Sequence, residues 1–374
     1  MATLHSSAPS AGQVVIYPAR KNVPSHERAV HQALATRIAA LHGRQFGGIH
    51  EGGQSAANTY YIPTGTIVGV AMAQGIGIRT EDDLFGAVVP HAFIATKAIS
   101  HPLVRSDAAA PEGWSTAFAD AVHDATLRGL TAFTMDDARE AGRQLLAAGA
   151  IRIKPVLATG GRGQTVVHTP GELDAALQDL ACDELTSCGV VLEENLDQVV
   201  TYSVGQVRVA GLVASYWGTQ RLTPDNGGEE VYGGSDLYVV RGGFDALLAL
   251  DLDPPVRKAV EQGRIFDDAA SEHYPGLLAS RRNYDIAQGI DAQGQPCSGV
   301  LEQSWRIGGA SGAEVVALES FAADPALNVV QASTVELYGP SQHAPEGACV
   351  TFRGEDEDVG FITKFVMAGR YGNT

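Results

Sequence analysis

Residues 150–164, AIRIKPVLATGGRGQ, read as a strand running into a glycine loop. Ile151 and Ile153 fall on one face at period two, and Arg152 and Lys154 on the other. The apolar face can seek a core while Lys154 looks into a cleft. Pro155 limits ladder pairing beyond the lysine. Gly160, Gly161 and Gly163 then surround Arg162. Glycines let backbone N–H groups approach and wrap an anion, and a neighbouring cation adds charge. The stretch is a candidate phosphate-binding loop; the simpler alternative is a surface hairpin with a tolerated lysine. It lacks the Gly-Lys-Ser/Thr of a Walker A loop and the G-x-G-x-x-G of a dinucleotide fingerprint. Its meaning therefore rests on what surrounds it.

Upstream, residues 1–12 read as a disordered leader, and Gln13–Tyr17 as a short buried strand. Ser25 is expected to cap a helix reaching about Gly43, with Val30, Leu34, Ile38 and Leu41 on one face. A strand, loop and helix at the start predict a wound α/β unit, whose first loop carries Arg20, Lys21 and Asn22 as candidate substrate contacts or solvated charges. Residues 46–58 are glycine-rich and read as a mobile loop, and Thr80–Ala87 as a short helix. Lys97 sits among apolar residues, where the edge of an amphipathic helix is the plainer reading. Helices are expected around 115–128 and 135–148, the second capped by Thr134 with Asp137.

Downstream, Thr169-Pro-Gly-Glu172 is a capping box opening another helix. Val190–Leu192 reads as a buried strand ending in Glu193, Glu194, Asn195 and Leu196, a hinge whose backbone can serve a purine edge, or else an acidic turn. Val199–Trp217 alternates, with Gly205-Gln206 as the expected hairpin turn. Residues 218–244 read as a long loop or irregular hairpin in which Arg221 and Asp236 are candidates, and Pro254–Tyr274 as helix in two pieces. Arg281–Gly289 and Gly299–Gln303 form two strands joined by a turn-rich segment, so Asp285 and Glu302 lie on adjacent antiparallel strands. Two carboxylates so placed can share a hard cation, with Ser304 as a further oxygen and Arg306, Gly308 and Gly309 just beyond.

Composition narrows the classes. Net charge is −17, from 26 basic and 43 acidic residues, which opposes a nucleic-acid partner. The apolar runs are too short for a membrane span, and MATLHSSAPSAG has no apolar signal core. Cys182, Cys188, Cys297 and Cys349 lack C-x-x-C spacing and no H-x-x-x-H occurs, so a cytoplasmic protein without a zinc or disulfide frame is expected. The 374 residues suggest two to three domains at about 150 residues each.

In this order the features resemble the ATP-grasp superfamily. Lys154 with Gly160, Gly161, Arg162 and Gly163 is similar to that family's lid, and TAFTMDDAREAGRQLLAAGAIRI (131–153) to the usual approach to its lysine. Glu193, Glu194 and Leu196 resemble the adenine hinge, Lys97 the earlier nucleotide lysine, and Asp285, Glu302 and Ser304 an acidic–acidic–Asn metal set. Serine stands at 304 where the family has asparagine, Glu194 where lysine is common, and Ile-Gly-Gly-Ala-Ser follows Arg306 in place of the Gln-Val-Glu-His of biotin carboxylases. The whole chain also resembles the bacterial domain of unknown function 3182.

The resemblance implies an α/β (α+β) ATP-grasp fold behind a Rossmann-like pre-ATP-grasp domain. The divisions are 1–95, a linker with the start of the grasp at 96–149, a lid subdomain at 150–196, and a C-terminal subdomain with the metal site at 197–374. It also implies ATP with Mg2+ or Mn2+, small-molecule carboxylate and amine (or thiol) substrates, an acyl-phosphate intermediate, Arg306 and Lys154 as catalytic residues, and a homodimer. Another ATP-grasp activity, such as a carboxylase or phosphotransferase, and a non-catalytic nucleotide-binding protein are the alternatives.

Overall fold

A computed structural model of the chain describes residues 12–20, 22–53, 58–157, 163–180 and 182–370. The leader over 1–11, Lys21, Gly160, Gly161 and Arg162 lie outside the described residues.

Strand β1 (Gln13–Tyr17) lies between β2 (Gln45–Ile49) and β3 (Tyr60–Pro63) in a parallel sheet. Helix α1 (Ser25–Leu41) crosses from β1 to β2 and buries Leu34 and Ile38 with Val14, Ile16 and Tyr60. Ser25 does not cap α1: it is the first helical residue, and its hydroxyl donates to Asp356. Asp356 also accepts from the His26 N–H at 3.0 Å, so the cap comes from the far end of the chain. Part of the expected 46–58 loop is β2, and residues 54–57 lie outside the described residues. Strands β4 (Ile67–Val68) and β5 (Ala87–Val89) pair in parallel around α2 (Val70–Gly75). The helix expected at Thr80–Ala87 is a single 3-10 turn, Glu81–Asp83, boxed by Thr80 and Asp83. The helix edge expected at Lys97 is a pair of 3-10 turns, Ala92–Ala95 and Lys97–Ser100.

After α3 (Thr116–Ala121) comes a smaller antiparallel sheet of β6 (Gly129–Ala132), β7 (Ile151–Pro155), β8 (Thr165–Val167) and β9 (Val190–Glu194), in the order β6-β9-β7-β8. Ile151, Ile153 and Leu192 form its apolar face against Ala138 and Ala141 of α4 (Met135–Leu146) and Leu173 of α5 (Pro170–Gln178). Thr134 and Thr169 cap those helices as their spacing predicts. Helix α6 (Cys182–Cys188) leads into β9.

The largest sheet has eight strands. β10 (Asp197–Val209), β11 (Leu212–Pro224) and β12 (Glu230–Arg241) form a meander; α7 (Phe244–Leu248) and α8 (Pro254–His273) follow. β13 (Leu278–Ala279) joins β5, and β14 (Arg281–Ile290) and β15 (Pro296–Ser304) form a hairpin before α9 (Ser311–Ala323). β16 (Val329–Tyr338), β17 (Cys349–Asp356) and β18 (Gly360–Arg370) complete the antiparallel order β15-β14-β10-β11-β12-β16-β18-β17. One face packs Val204, Tyr284 and Ile286 on Val260 and Phe266 of α8. The other packs Val207, Tyr216 and Leu237 with α9 and the N-terminal layer.

Two expectations are corrected here and one alternative is decided. Gly205-Gln206 is not a turn: β10 continues to Val209, and the turn is Ala210-Gly211, with φ of 52° and 78°. Residues 218–244 take the hairpin alternative: they are mostly strand, the long β11–β12 hairpin, irregular at the register shift between Arg221 and Leu222. Residues 254–273 form one helix; Gly263 does not break it but lets α8 approach β10, since an added Cβ would lie 3.0 Å from Val204 Cγ1. Among the described residues no helix is long and apolar enough to cross a membrane.

Candidate functional site

Lys154 projects from the polar face of β7 and is buried. Its ammonium donates to both oxygens of Glu193, at 3.1 and 3.2 Å. Glu193, equally buried on β9, also meets His101 Nε2 at 3.0 Å. Burial by itself would raise the Glu193 pKa; the Lys154 charge and the His101 contact outweigh it and hold the carboxyl down at about 2. The His101 ring lies over Gly129, where an added Cβ would stand 2.7 Å from three ring atoms. The sequence reading omits His101. Its only signal there is proximity to Lys97, because its partner is 92 residues away.

That proximity organises the site. Lys97 and His101 belong to one short segment and reach opposite ways: Lys97 Nζ lies 2.6 Å from Glu302 on the large sheet, and His101 meets Glu193 on the small one. Thr131 of β6 donates to the Ala98 carbonyl at 2.7 Å. Gln303 of β15 donates to the carbonyls of Ile94 and Thr96, at 2.8 and 2.7 Å. The segment is thus fastened to both sheets.

Asp285 and Glu302 lie on adjacent antiparallel strands, as the hairpin reading predicts; a register shift beside Asp285 pairs them directly across β14 and β15, and Asn283 stands opposite Ser304 on the same face. Ser203 of β10 donates to Asp285 Oδ1 at 3.2 Å, and the Asn283 carboxamide bridges Asp285 Oδ1 (3.1 Å) and Tyr216 Oη (2.9 Å). Burial, and then the Glu302 carboxylate, push the Asp285 pKa up to about 6. Crowding of like charge on a shared face fits a hard cation. Among the described residues no three His, Cys, Asp or Glu side chains converge, so such a cation would rest on two carboxylates and neutral oxygens. Ser304 Oγ lies 3.4 Å from Arg281 Nη1, and Arg281 is held by Glu314 on α9.

Arg306 follows β15. Among the described residues its guanidinium makes one hydrogen bond, to the Ile307 carbonyl at 3.0 Å, and no ion pair. Burial, then the nearby Arg20 and Arg281 charges, lower its pKa. Arg20, from the loop after β1, pairs with Glu27. The hinge is partly spent on the ladder: the Glu194 N–H donates to the Arg128 carbonyl and the Asn195 N–H to that of Ala150. The Glu194 carboxylate accepts from the Arg128 N–H, and Leu196 packs on Leu127 and Ala287. Gly163 has φ of 68°. Arg221 and Asp236 pair with each other, braced by Ser333.

A wound parallel layer, a small antiparallel sheet with two helices, and a large antiparallel sheet joined to it through the Lys97–His101 segment make up an ATP-grasp fold. Phosphoribosylamine–glycine ligase of Thermotoga maritima superposes with a TM-score of 0.50 at 15% identity, over 96% of this chain and 93% of that one. The biotin carboxylase β-γ-ATP complex of Campylobacter jejuni gives 0.50 at 10% identity, over 96% and 87%. The chain belongs to the family described as "Protein of unknown function (DUF3182)", which it matches over residues 14–366. No curated protein sequence matches it.

Proposed function

We propose that the protein is an ATP- and Mg2+-dependent (or Mn2+-dependent) ligase joining a small carboxylate to an amine or thiol through an acyl phosphate. One observation carries the reading: the Lys97–His101 segment couples Lys154–Glu193 on one sheet to Glu302–Asp285 on the other. Phosphoryl transfer needs positioned charge more than covalent chemistry, and this arrangement supplies it from two sheets.

In this reading Lys154 and Lys97 hold the inner phosphates, and Gly160, Gly161, Arg162 and Gly163 form the lid. Glu193, Glu194 and Leu196 bound the purine. Asp285 and Glu302 are the residues to hold the divalent cation, which when bound neutralises the outer phosphate oxygens. A carboxylate oxygen attacks the terminal phosphorus, the bond to the bridging oxygen breaks and ADP leaves. The nucleophile then attacks the acyl carbon, loses its proton and expels phosphate. Arg306, with Arg20 beside it, stabilises the transferring group, since among the described residues its guanidinium makes no ion pair and donates only to the Ile307 carbonyl. The closed lid keeps water from the acyl phosphate.

Calorimetric titration with ADP and a non-hydrolysable ATP analogue, with and without Mg2+, tests this. Magnesium-dependent binding is expected, weakened by about 2–3 kcal/mol in Lys154→Ala, since a charge-assisted phosphate contact is lost. Unchanged affinity in a folded Lys154→Ala would remove Lys154 from the site. Turnover to ADP and phosphate with an amide or thioester product is the expected chemistry; a carboxylated or phosphorylated product would replace the ligase reading.

A further inference from the structure

We infer that the carboxylate substrate of the proposed reaction carries a second anionic group, a carboxylate or a phosphate, which Arg20 and His31 hold while the first carboxylate is phosphorylated beside Arg306. The inference deepens the ligase reading and rests on it. It starts from two polar atoms that the protein leaves without partners. Arg20 Nε and His31 Nδ1 are both buried, and neither has a hydrogen-bond partner among the described residues. Buried polar groups are ordinarily paired, so two such atoms on neighbouring elements point to a ligand that pairs them.

The fold brings them to one place. Arg20 follows β1 and Thr64 follows β3, its parallel neighbour, and the Arg20 N–H donates to Thr64 Oγ1 at 2.9 Å. Gly65 closes on the stem of Arg20, since an added Cβ there would lie 3.0 Å from its Cγ. The carboxyl ends of neighbouring parallel strands are where open α/β layers hold ligands. Glu27 of α1 takes Arg20 Nη2, which fixes the guanidinium and leaves Nε to another acceptor. His31 stands one turn further along the same side of α1 and is 6% exposed.

Charge decides what that acceptor is. The charged side chains acting on His31 are Glu27 and, against that one carboxylate, Arg20, Arg306 and Lys364. Three cations to one carboxylate favour an anion at this point. Burial above all, with the three cations, lowers the His31 pKa to about 4. The imidazole is therefore neutral, and with its one proton on Nδ1 it donates there. The two guanidiniums serve different groups. Arg306 turns back toward β15, since an added Cβ at Gly308 would lie 3.7 Å from its Nη1 and 3.9 Å from Ser304 Oγ. Arg20 is anchored instead on α1, beside His31. A substrate with a single carboxylate leaves Arg20 Nε and His31 Nδ1 unmet once that group is an acyl phosphate at Arg306.

The test is calorimetric titration of short acids in the presence of Mg2+ and the non-hydrolysable ATP analogue, with folding followed by circular dichroism. The probes are glutarate, succinate and 3-phosphonopropionate. Pentanoate and butyrate match them in length and lack the second charge. At least one doubly charged probe is expected to bind tenfold or more tightly than its singly charged match. Arg20→Ala and His31→Leu should each remove most of that ratio. Arg20→Lys keeps a charge for Glu27 but lacks the planar fork, so it should lower the ratio as well and stands in should the alanine variant not fold. Equal affinity for singly and doubly charged acids would mean that the cations serve only the transferring phosphoryl group. That result, no binding of any probe, or a ratio unchanged in every folded variant would overturn the inference and leave the ligase reading standing. Failure of the ATP analogue itself to bind, titrated first, would overturn both.

Discussion

Glu193 is the residue on which the small-sheet half of the site balances. It is buried, holds the Lys154 ammonium with both oxygens, and receives His101 as well. Neutralising it in Glu193→Gln leaves a buried ammonium without a counter-charge, at a cost of about 3–5 kcal/mol in urea unfolding. The folded pKa of about 2 lies below the ordinary 4.5, so this contribution is full above pH about 4.5 and is lost as pH falls through about 2. The stability gap between wild type and Glu193→Gln should therefore close over that window. A gap constant with pH would mean that the charge of Glu193 is not what stabilises it. The lysine was legible because period-two alternation assigns it a face; its partners were not, since nothing local marks which carboxylate or imidazole will meet it.

At the scale of elements, β10 is the crossing point of the large sheet. Gly205 is the clearest example of a residue whose meaning the sequence obscures: a glycine within an alternating run reads as a turn, yet here it is a gap. A Cβ at 205 would stand 2.3 Å from the Arg282 carbonyl and 2.4 Å from Tyr216 Oη. Gly205→Ala is expected to cost about 1–3 kcal/mol through overpacking. Chemical denaturation checks this; a variant that unfolds like wild type would show that β10 and β11 separate freely at this point. The β14–β15 hairpin, by contrast, was legible as a strand pair, because a turn-rich link joins two alternating runs; that Asp285 stands directly opposite Glu302 was not, since a register shift between Asp285 and Ile286 brings the two together.

Across the whole molecule, the N-terminal layer holds imidazoles that burial keeps neutral. His31 and His42 are lowered from 6.5 to about 4, first by burial, and His26 is lowered in the same direction and first for the same reason. Their folded pKa values lie below the unfolded ones, so the stability they allow is full above pH about 6.5 and is lost as pH falls toward about 4. Thermal unfolding midpoints should decline from pH about 6.5 downward, before most carboxylates titrate. Replacing His31 and His42 together with glutamine should flatten that decline, and an unchanged slope would place its origin elsewhere. The layer is tied to the far end of the chain through Asp356, 331 residues from Ser25.

By itself the sequence determined what local periodicity can encode. It settled which face of β7 carries Lys154, where α4 and α5 begin, and that Asp285 and Glu302 share a strand pair. These depend only on backbone geometry repeating every two or every 3.6 residues. The tertiary structure alone decided the partners: Glu193 for Lys154 and His101, Glu302 for Lys97, Glu314 for Arg281 and Asp356 for α1. Those contacts form only when separate sheets close on one another. Which buried charge meets which is then set by the burial of whole faces, a collective property that no short window of sequence contains.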